Sequence, residues 1–125
     1  MHENEISAIV LDASIKIHKA LGQGLLESVY EEVLTYELRK RGLKVERQKP
    51  LPVFYDNIKM EVGFRVDLLV NDKVIAELKS VEQLVKIHYK VTTNYLKLAK
   101  KKLALLINFN VELLKDGYHR IVNKL

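Results

Sequence analysis

"VDLLVNDKVIAELKS" (residues 66–80) is the stretch on which the fold turns. Two apolar runs flank Asn71-Asp72, a turn signal, so the stretch predicts a β-hairpin. Asp67, Glu77 and Lys79 interrupt those runs. A hairpin that only filled a core would not carry three charges there, so they mark either a solvated face or a site.

Loop length decides which of these side chains meet. Strand side chains alternate, so Glu77 and Lys79 share a face. A two-residue loop sets Asp67 opposite Ala76, with Asp67 and Glu77 on opposite faces. A three-residue loop, 71–73, pairs Val70 with Val74 and sets Asp67 opposite Glu77. The apolar pattern favours the second register. It stacks Val66/Leu78, Leu68/Ala76 and Val70/Val74 on one face and leaves Arg65/Lys79, Asp67/Glu77 and Leu69/Ile75 on the other. Two carboxylates directly opposite repel, and so do two cations. A divalent cation relieves the first repulsion and a bound phosphate the second. Carboxylate oxygens with open water positions suit Mg²⁺ or Mn²⁺. Metal-assisted attack of water on a phosphodiester uses both features. Acid-x-Lys triplets also arise easily in a chain with 30% charged residues, and a solvated face remains the alternative.

Around the hairpin, residues 4–21 repeat apolar side chains at Ile6, Ile9, Val10, Ala13, Ile17 and Leu21, a helical period ended by "LGQG" (21–24). A second helix is expected over Leu25–Arg41, with Leu26, Val29, Tyr30, Val33, Leu34 and Leu38 as its stripe. Acids crowd its start and bases its end, and Gly42 fits the position just past it. "LKVERQ" (43–48) alternates as a strand. Pro50 and Pro52 confine the next stretch to an edge. "VFYDNIKMEV" reads as a hairpin about Asp56-Asn57. Residues 82–100 return to helical period. "KLALLINF" (102–109) suits a strand buried on both faces, and "YHRIV" (118–122) a short last strand. The order ααββββαββ predicts an α/β domain, a mixed β-sheet flanked by helices.

A chain of 125 residues suits one domain, 1–125, with one core. It holds no Cys, which excludes disulfides and thiolate metal sites. No apolar run reaches membrane-spanning length, and "MHENEISAIV" lacks the basic start of a signal peptide, so a cytoplasmic protein with no membrane partner is expected. The formal net charge of +5 suits a polyanionic partner. Lys86, Lys90, Lys97 and Lys101 project within about 60° of one another on a helical wheel. Such a stripe either tracks a phosphate backbone or is simply solvated. His88, at the edge of the apolar stripe of that helix, reads as structural, and His18 carries no assigned role.

Asp67 with Glu77-Leu78-Lys79 resembles the D…(D/E)-x-K signature of the PD-(D/E)XK nuclease superfamily. "GLLESVY" (24–30) resembles a G-x-x-E-x-x-Y motif. With "ELRKRGL", "GFRVDLLV", "AELKS", "NYLK" and "LLINF", the chain from about Ile6 to Val122 looks like the GxxExxY family within it. The resemblance implies a restriction-endonuclease-like core and a Mg²⁺- or Mn²⁺-dependent nuclease acting on DNA or RNA. It implies Asp67, Glu77 and the helical acid Glu27 as metal ligands, all three catalytic with Lys79, which positions the attacking water. Arg65, Tyr95 and the Lys stripe would contact nucleic acid. The chain departs from the pattern at two places. Val66 precedes the Asp where Pro is usual. In "VTTNY" (91–95), Val91 replaces the Gln of Q-x-x-x-Y while Tyr95 remains. On the wheel Val91 joins Leu84, Ile87, Tyr95 and Leu98, so it is expected either in the core or at a lost substrate contact. A non-catalytic nucleic-acid- or protein-binding module on the same fold is the alternative. Action as a homodimer or with a protein partner is a third.

Overall fold

The computed structural model describes all residues, 1–125. Helices α1 (Glu3–Leu21) and α2 (Glu27–Lys40) come first, then strands β1 (Val45–Leu51), β2 (Phe54–Tyr55), β3 (Ile58–Lys59), β4 (Phe64–Val70) and β5 (Val74–Lys79). Helix α3 (Lys86–Leu98), strand β6 (Leu103–Asn108), the short helix α4 (Leu114–Gly117) and β7 (Tyr118–Val122) complete the chain. Five strands form one mixed sheet in the order β1-β4-β5-β6-β7, and β2-β3 form a separate hairpin. Only β5 and β6 run parallel; the other neighbours are antiparallel.

The ends of α2 show how local sequence sets the elements. The Leu43 N–H bonds the Leu38 carbonyl at 3.1 Å and the Gly42 N–H bonds Arg39 at 3.0 Å. Gly42 sits at φ 89°, so this is a helix stop that a side chain would strain. Leu43 then buries itself and leads into β1. β6 is buried at all six positions, as a central strand covered on both faces must be.

The helices split across the sheet. Ile6, Val10, Ala13 and Ile17 of α1 and Tyr30, Leu34 and Leu38 of α2 pack with Leu68, Val70, Ala76, Leu105 and Ile107 in the main core. Tyr30 stacks on Phe109, with centroids 4.4 Å apart and rings 9° from parallel. Such a pair adds about 0.5–1.5 kcal/mol beyond area burial. On the other face, Leu96 of α3 covers Val66, Leu69, Ile75 and Ala104.

The hairpin takes the three-residue register: Val70 pairs with Val74, Leu69 with Ile75 and Leu68 with Ala76. One pairing expected from the pattern fails. Val66 packs with Leu69 and Leu96, while Leu78 and Leu68 lie in the main core. Residues two apart on a regular strand share a face, so the alternation of β4 slips between Val66 and Leu68. Opposite the slip, on β1, Gln48 takes a left-handed φ of 47°.

The element order also departs from ααββββαββ. Five strands precede α3, since the expected hairpin about Asp56-Asn57 supplies two and not one, and α4 lies between β6 and β7. β1 runs through Pro50 to Leu51, which an edge strand tolerates because one side needs no N–H donors. α3 begins at Lys86, after Val85 donates its backbone N–H to His88 Nδ1 at 3.0 Å. His88 is therefore a satisfied helix-start residue. Lys101 falls beyond α3 and leaves its stripe. Val91 is 37% exposed and so is no core residue, and Ile87 and Leu98 are also exposed; the buried side chains of α3 are Thr92 and Leu96. The apolar stripe of α3 is not the face that packs on the sheet. No helix is long and apolar enough to cross a membrane.

Gly63 ties the β2-β3 hairpin to the end of β1. A Cβ there would lie 2.1 Å from the Leu51 carbonyl oxygen, a contact only backbone movement relieves. Gly63→Ala is therefore expected to destabilise the fold by about 1–3 kcal/mol, read as a lowered midpoint in urea unfolding.

Candidate active site

β4 and β5 are held in a fixed relation by their own acids. Ladder pairing between them ends at Leu68 and Ala76. One residue further, the Asp67 N–H donates to Glu77 Oε2 at 2.9 Å, and the Leu78 N–H donates to Asp67 Oδ2 at 2.8 Å. Each carboxylate thus satisfies a backbone donor of the facing strand. The strands separate there without leaving buried N–H groups unpaired, which would be costly. The second oxygen of Asp67 accepts a long bond, 3.3 Å, from Gln48 Nε2.

Gln48 links this pair to α2. Its Nε2 also donates to Glu31 Oε1 at 2.6 Å, and Glu31 is held by Arg47 at 3.0 and 3.1 Å. The left-handed backbone of Gln48 turns its amide toward both acids, a conformation that costs a non-glycine residue of order 1 kcal/mol or more.

Glu77 is 6% exposed, and its carboxyl is pushed up to about 8 from the usual range. Burial is the main cause and the neighbouring Asp67 charge the next. Lys79, half-buried on the same face, makes no ion pair within 4.0 Å; its charge acts on Glu77 only weakly, in the opposite direction. Arg65, Asp67, Glu77 and Lys79 line one cleft of about 280 Å³ whose far wall is Ile87, His88, Val91, Thr92 and Tyr95 of α3. The cleft thus combines two acids and two cations with a largely apolar wall.

Of the residues singled out from sequence, Asp67, Glu77, Lys79, Arg65 and Tyr95 meet in this cleft. Glu27 does not. At the first turn of α2, it accepts from the Ser80 N–H at 3.3 Å and lines a separate depression with Gly24, Ser80 and Asn110. No three His, Asp or Glu side chains gather at one point. Glu27 instead helps hold the chain leaving Lys79. Ser80 Oγ donates to the Leu25 carbonyl at 2.6 Å, and buried Asn108 brackets Val81 through both its N–H and its carbonyl. Lys86, Lys90 and Lys97 are exposed on α3. His18 bonds the Val111 carbonyl at 2.7 Å, away from the cleft.

Sequence reasoning missed Gln48, Glu31, Ser80 and Asn108. Asn108 had a signal, as the one polar residue inside "LALLINF". Gln48 had none, because polar residues on an alternating edge strand read as solvent-facing.

A mixed sheet between helices, with an acid pair and a lysine where two central strands part, defines a nuclease-type α/β protein. A family model, the PD-(D/E)XK nuclease superfamily, matches residues 4–121, and the chain belongs to that superfamily. Comparison with curated proteins and with solved structures gave no match.

The raised Glu77 carboxyl fixes a direction for pH. Unfolded, the group ionises near 4.5; folded and metal-free, it holds its proton to about 8. The folded state binds more protons between those values, so the contribution is complete below pH 4.5 and is lost as pH rises toward 8. The slope reaches at most about 1.4 kcal/mol per pH unit. Glu77→Gln should flatten this decline when unfolding in chelator is measured from pH 4.5 to 8.

Proposed function

We propose that residues 1–125 form one cytoplasmic nuclease-like domain that hydrolyses phosphodiester bonds of DNA or RNA with a divalent cation, Mg²⁺ or Mn²⁺. The observation that carries this reading is the buried Glu77 carboxyl facing Asp67 beside an unpaired Lys79. The Asp67 N–H and the Lys79 charge do not outweigh burial and the Asp67 carboxylate, so an ionised Glu77 is undercompensated, and a divalent cation is the group that would supply the rest. Two carboxylates suffice for Mg²⁺, which keeps several waters and takes further oxygens from substrate phosphate. Superfamily membership supports the same reading.

On this reading Asp67 and Glu77 hold the cation through the oxygens not committed to backbone N–H groups. When bound, the cation supplies Lewis-acid chemistry at the phosphate and makes water more acidic. Lys79 orients the attacking water from the same face and offsets negative charge that builds on the phosphoryl oxygens. Arg65, unpaired at the cleft mouth, holds a substrate phosphate, and Lys86, Lys90 and Lys97 extend the basic surface along α3. Glu27 and Asn108 position Lys79 by holding Ser80 and Val81. Gln48 orients Asp67. The apolar α3 wall keeps the acids in a low-dielectric setting, where their charge interactions are strong.

Val91 in that wall favours a second reading, a non-catalytic module that binds nucleic acid or protein. A glutamine there would offer the substrate an amide; valine does not.

Incubation with Mg²⁺ or Mn²⁺ and labelled single- and double-stranded DNA and RNA separates the two. The nuclease reading expects wild-type cleavage, and a loss of at least about a hundredfold in both Asp67→Ala and Lys79→Ala. Equal inactivity of all three proteins on every substrate overturns it and leaves the binding module.

A further inference from the structure

A second cavity adjoins the cleft. It measures about 650 Å³, and Arg65 and Tyr95 line both. Phe64 and Tyr95 line it, stacked on each other with centroids 4.7 Å apart. Pro52, Lys59 at the end of β3 and Glu61 beyond it also line the cavity. The hairpin itself stands off the main sheet on a tight turn, with Asp56 and Asn57 both at positive φ. It presents apolar side chains to solvent: Phe54 is 55% exposed, Tyr55 69% and Ile58 63%.

Phe54 pairs with Lys59 and so shares the face of this cavity-lining residue, while Tyr55 and Ile58 pair on the opposite face. Exposed aromatic side chains on both faces of a hairpin offer contact surface. Charge selects the occupant. Arg65 and Lys59 rim the cavity and the chain carries +5 overall, so a polyanion is attracted and a second copy of the chain repelled. Shape narrows it further. A stacked aromatic pair accepts a flat ring on its outer faces, and a cavity of this size holds one or two nucleotides with room for solvent. In a duplex both faces of each base are already covered by neighbours; only an unpaired base offers a face to Tyr or Phe.

We propose that this cavity and the hairpin bind unpaired nucleotides next to the phosphate held in the catalytic cleft, with Arg65 spanning the two. The inference rests on the nuclease reading for the phosphate's location, and it makes the preferred substrate single-stranded or a strand end with unpaired bases. Phe54, on the face of Lys59, stacks on a base that runs out of the cavity, and Tyr55 offers a second ring on the opposite face of the hairpin. Glu61 accepts from a base amine, and Lys59 neutralises the neighbouring phosphate.

The test is fluorescence anisotropy in chelator on the Asp67→Ala protein, which cannot cut. The probes are oligo-dT, oligo-rU and a blunt DNA duplex of equal length. The combined substitution Phe54→Ser and Tyr55→Ser removes only exposed side chains; circular dichroism and sedimentation are run alongside. The expected result is tighter binding of single strands than of duplex. The double variant should lose about tenfold or more for single strands while its duplex affinity stays the same. The two single-stranded probes separate DNA from RNA. Equal affinity for single strand and duplex, or undiminished single-strand binding by the variant, overturns the proposal. So does a parent dimer that the variant converts to monomer, because a second copy would then own the face. Wild-type cleavage without hairpin-dependent binding sinks this inference and leaves the nuclease reading standing. Hairpin-dependent binding without wild-type cleavage does the reverse.

Discussion

Two hydrogen bonds set the geometry of this molecule: Asp67 N–H to Glu77, and Leu78 N–H to Asp67. They replace the main-chain ladder where β4 and β5 separate. A sheet cannot simply part its central strands, because every freed N–H needs an acceptor. Here the acceptors are the two acids that the separation brings together. The strands separate because the carboxylates bond the backbone, and the carboxylates meet because the strands separate. Replacing either acid by an apolar residue would leave a buried donor unpaired, so the pair is tied to the fold as firmly as to chemistry.

The rest of the architecture can be read as support for that separation. On one side Gln48, in a strained left-handed conformation, holds the outer oxygen of Asp67 and hands the load to Glu31 and Arg47. On the other, the chain beyond Lys79 is fixed three ways: to Glu27, to Leu25 and to Asn108. β6, buried throughout and parallel to β5, is the rigid neighbour that carries Asn108. α1 and α2 close the main core, and α3 covers the opposite face and forms the far wall of the cleft. Of the seven left-handed non-glycine residues, Gln48 is the one beside the acids, so backbone strain there belongs to the site, while the others lie in turns and at element ends.

What the sequence disclosed follows from how local each signal is. The hairpin register was legible because a one-residue slip would have turned Leu68 and Ala76 away from the core. β6 was legible from an unbroken apolar run, and the end of α2 from Gly42. Asp67, Glu77 and Lys79 were legible as charges out of pattern. The slip at Val66 was not, because it results from side chains bonding backbone across strands, which leaves no trace in periodicity. Glu27 entered the site through the family resemblance alone; its contact with Ser80 depends on the exact path of the loop, which the sequence does not show. α3 is more instructive. Its apolar stripe allows Val91 either a core place or a substrate contact; Ile87, Val91 and Leu98 are exposed, and Thr92 and Leu96 are the buried pair, which leaves the second. Periodicity finds an apolar face. It does not say whether that face meets the sheet or a cleft.

That distinction bears on Val91. In a core position its identity would concern packing alone. In the cleft wall it sets the medium around Glu77. Burial is the largest cause of the raised Glu77 carboxyl, larger than the Asp67 charge. Ile87 and Val91 are part of what lines the wall opposite. An apolar side chain there withholds solvation from the ionised acid, whereas an amide would offer a dipole to it or to a ligand. Val91 therefore removes no ligand and disturbs no backbone contact of the acid pair. It makes an uncompensated Glu77 charge less tolerable, which strengthens the demand for a cation while withdrawing a polar contact from whatever else enters the cleft. The two consequences pull apart: affinity for a divalent ion and grip on the substrate need not fall together, because one depends on the dryness of the wall and the other on its polarity.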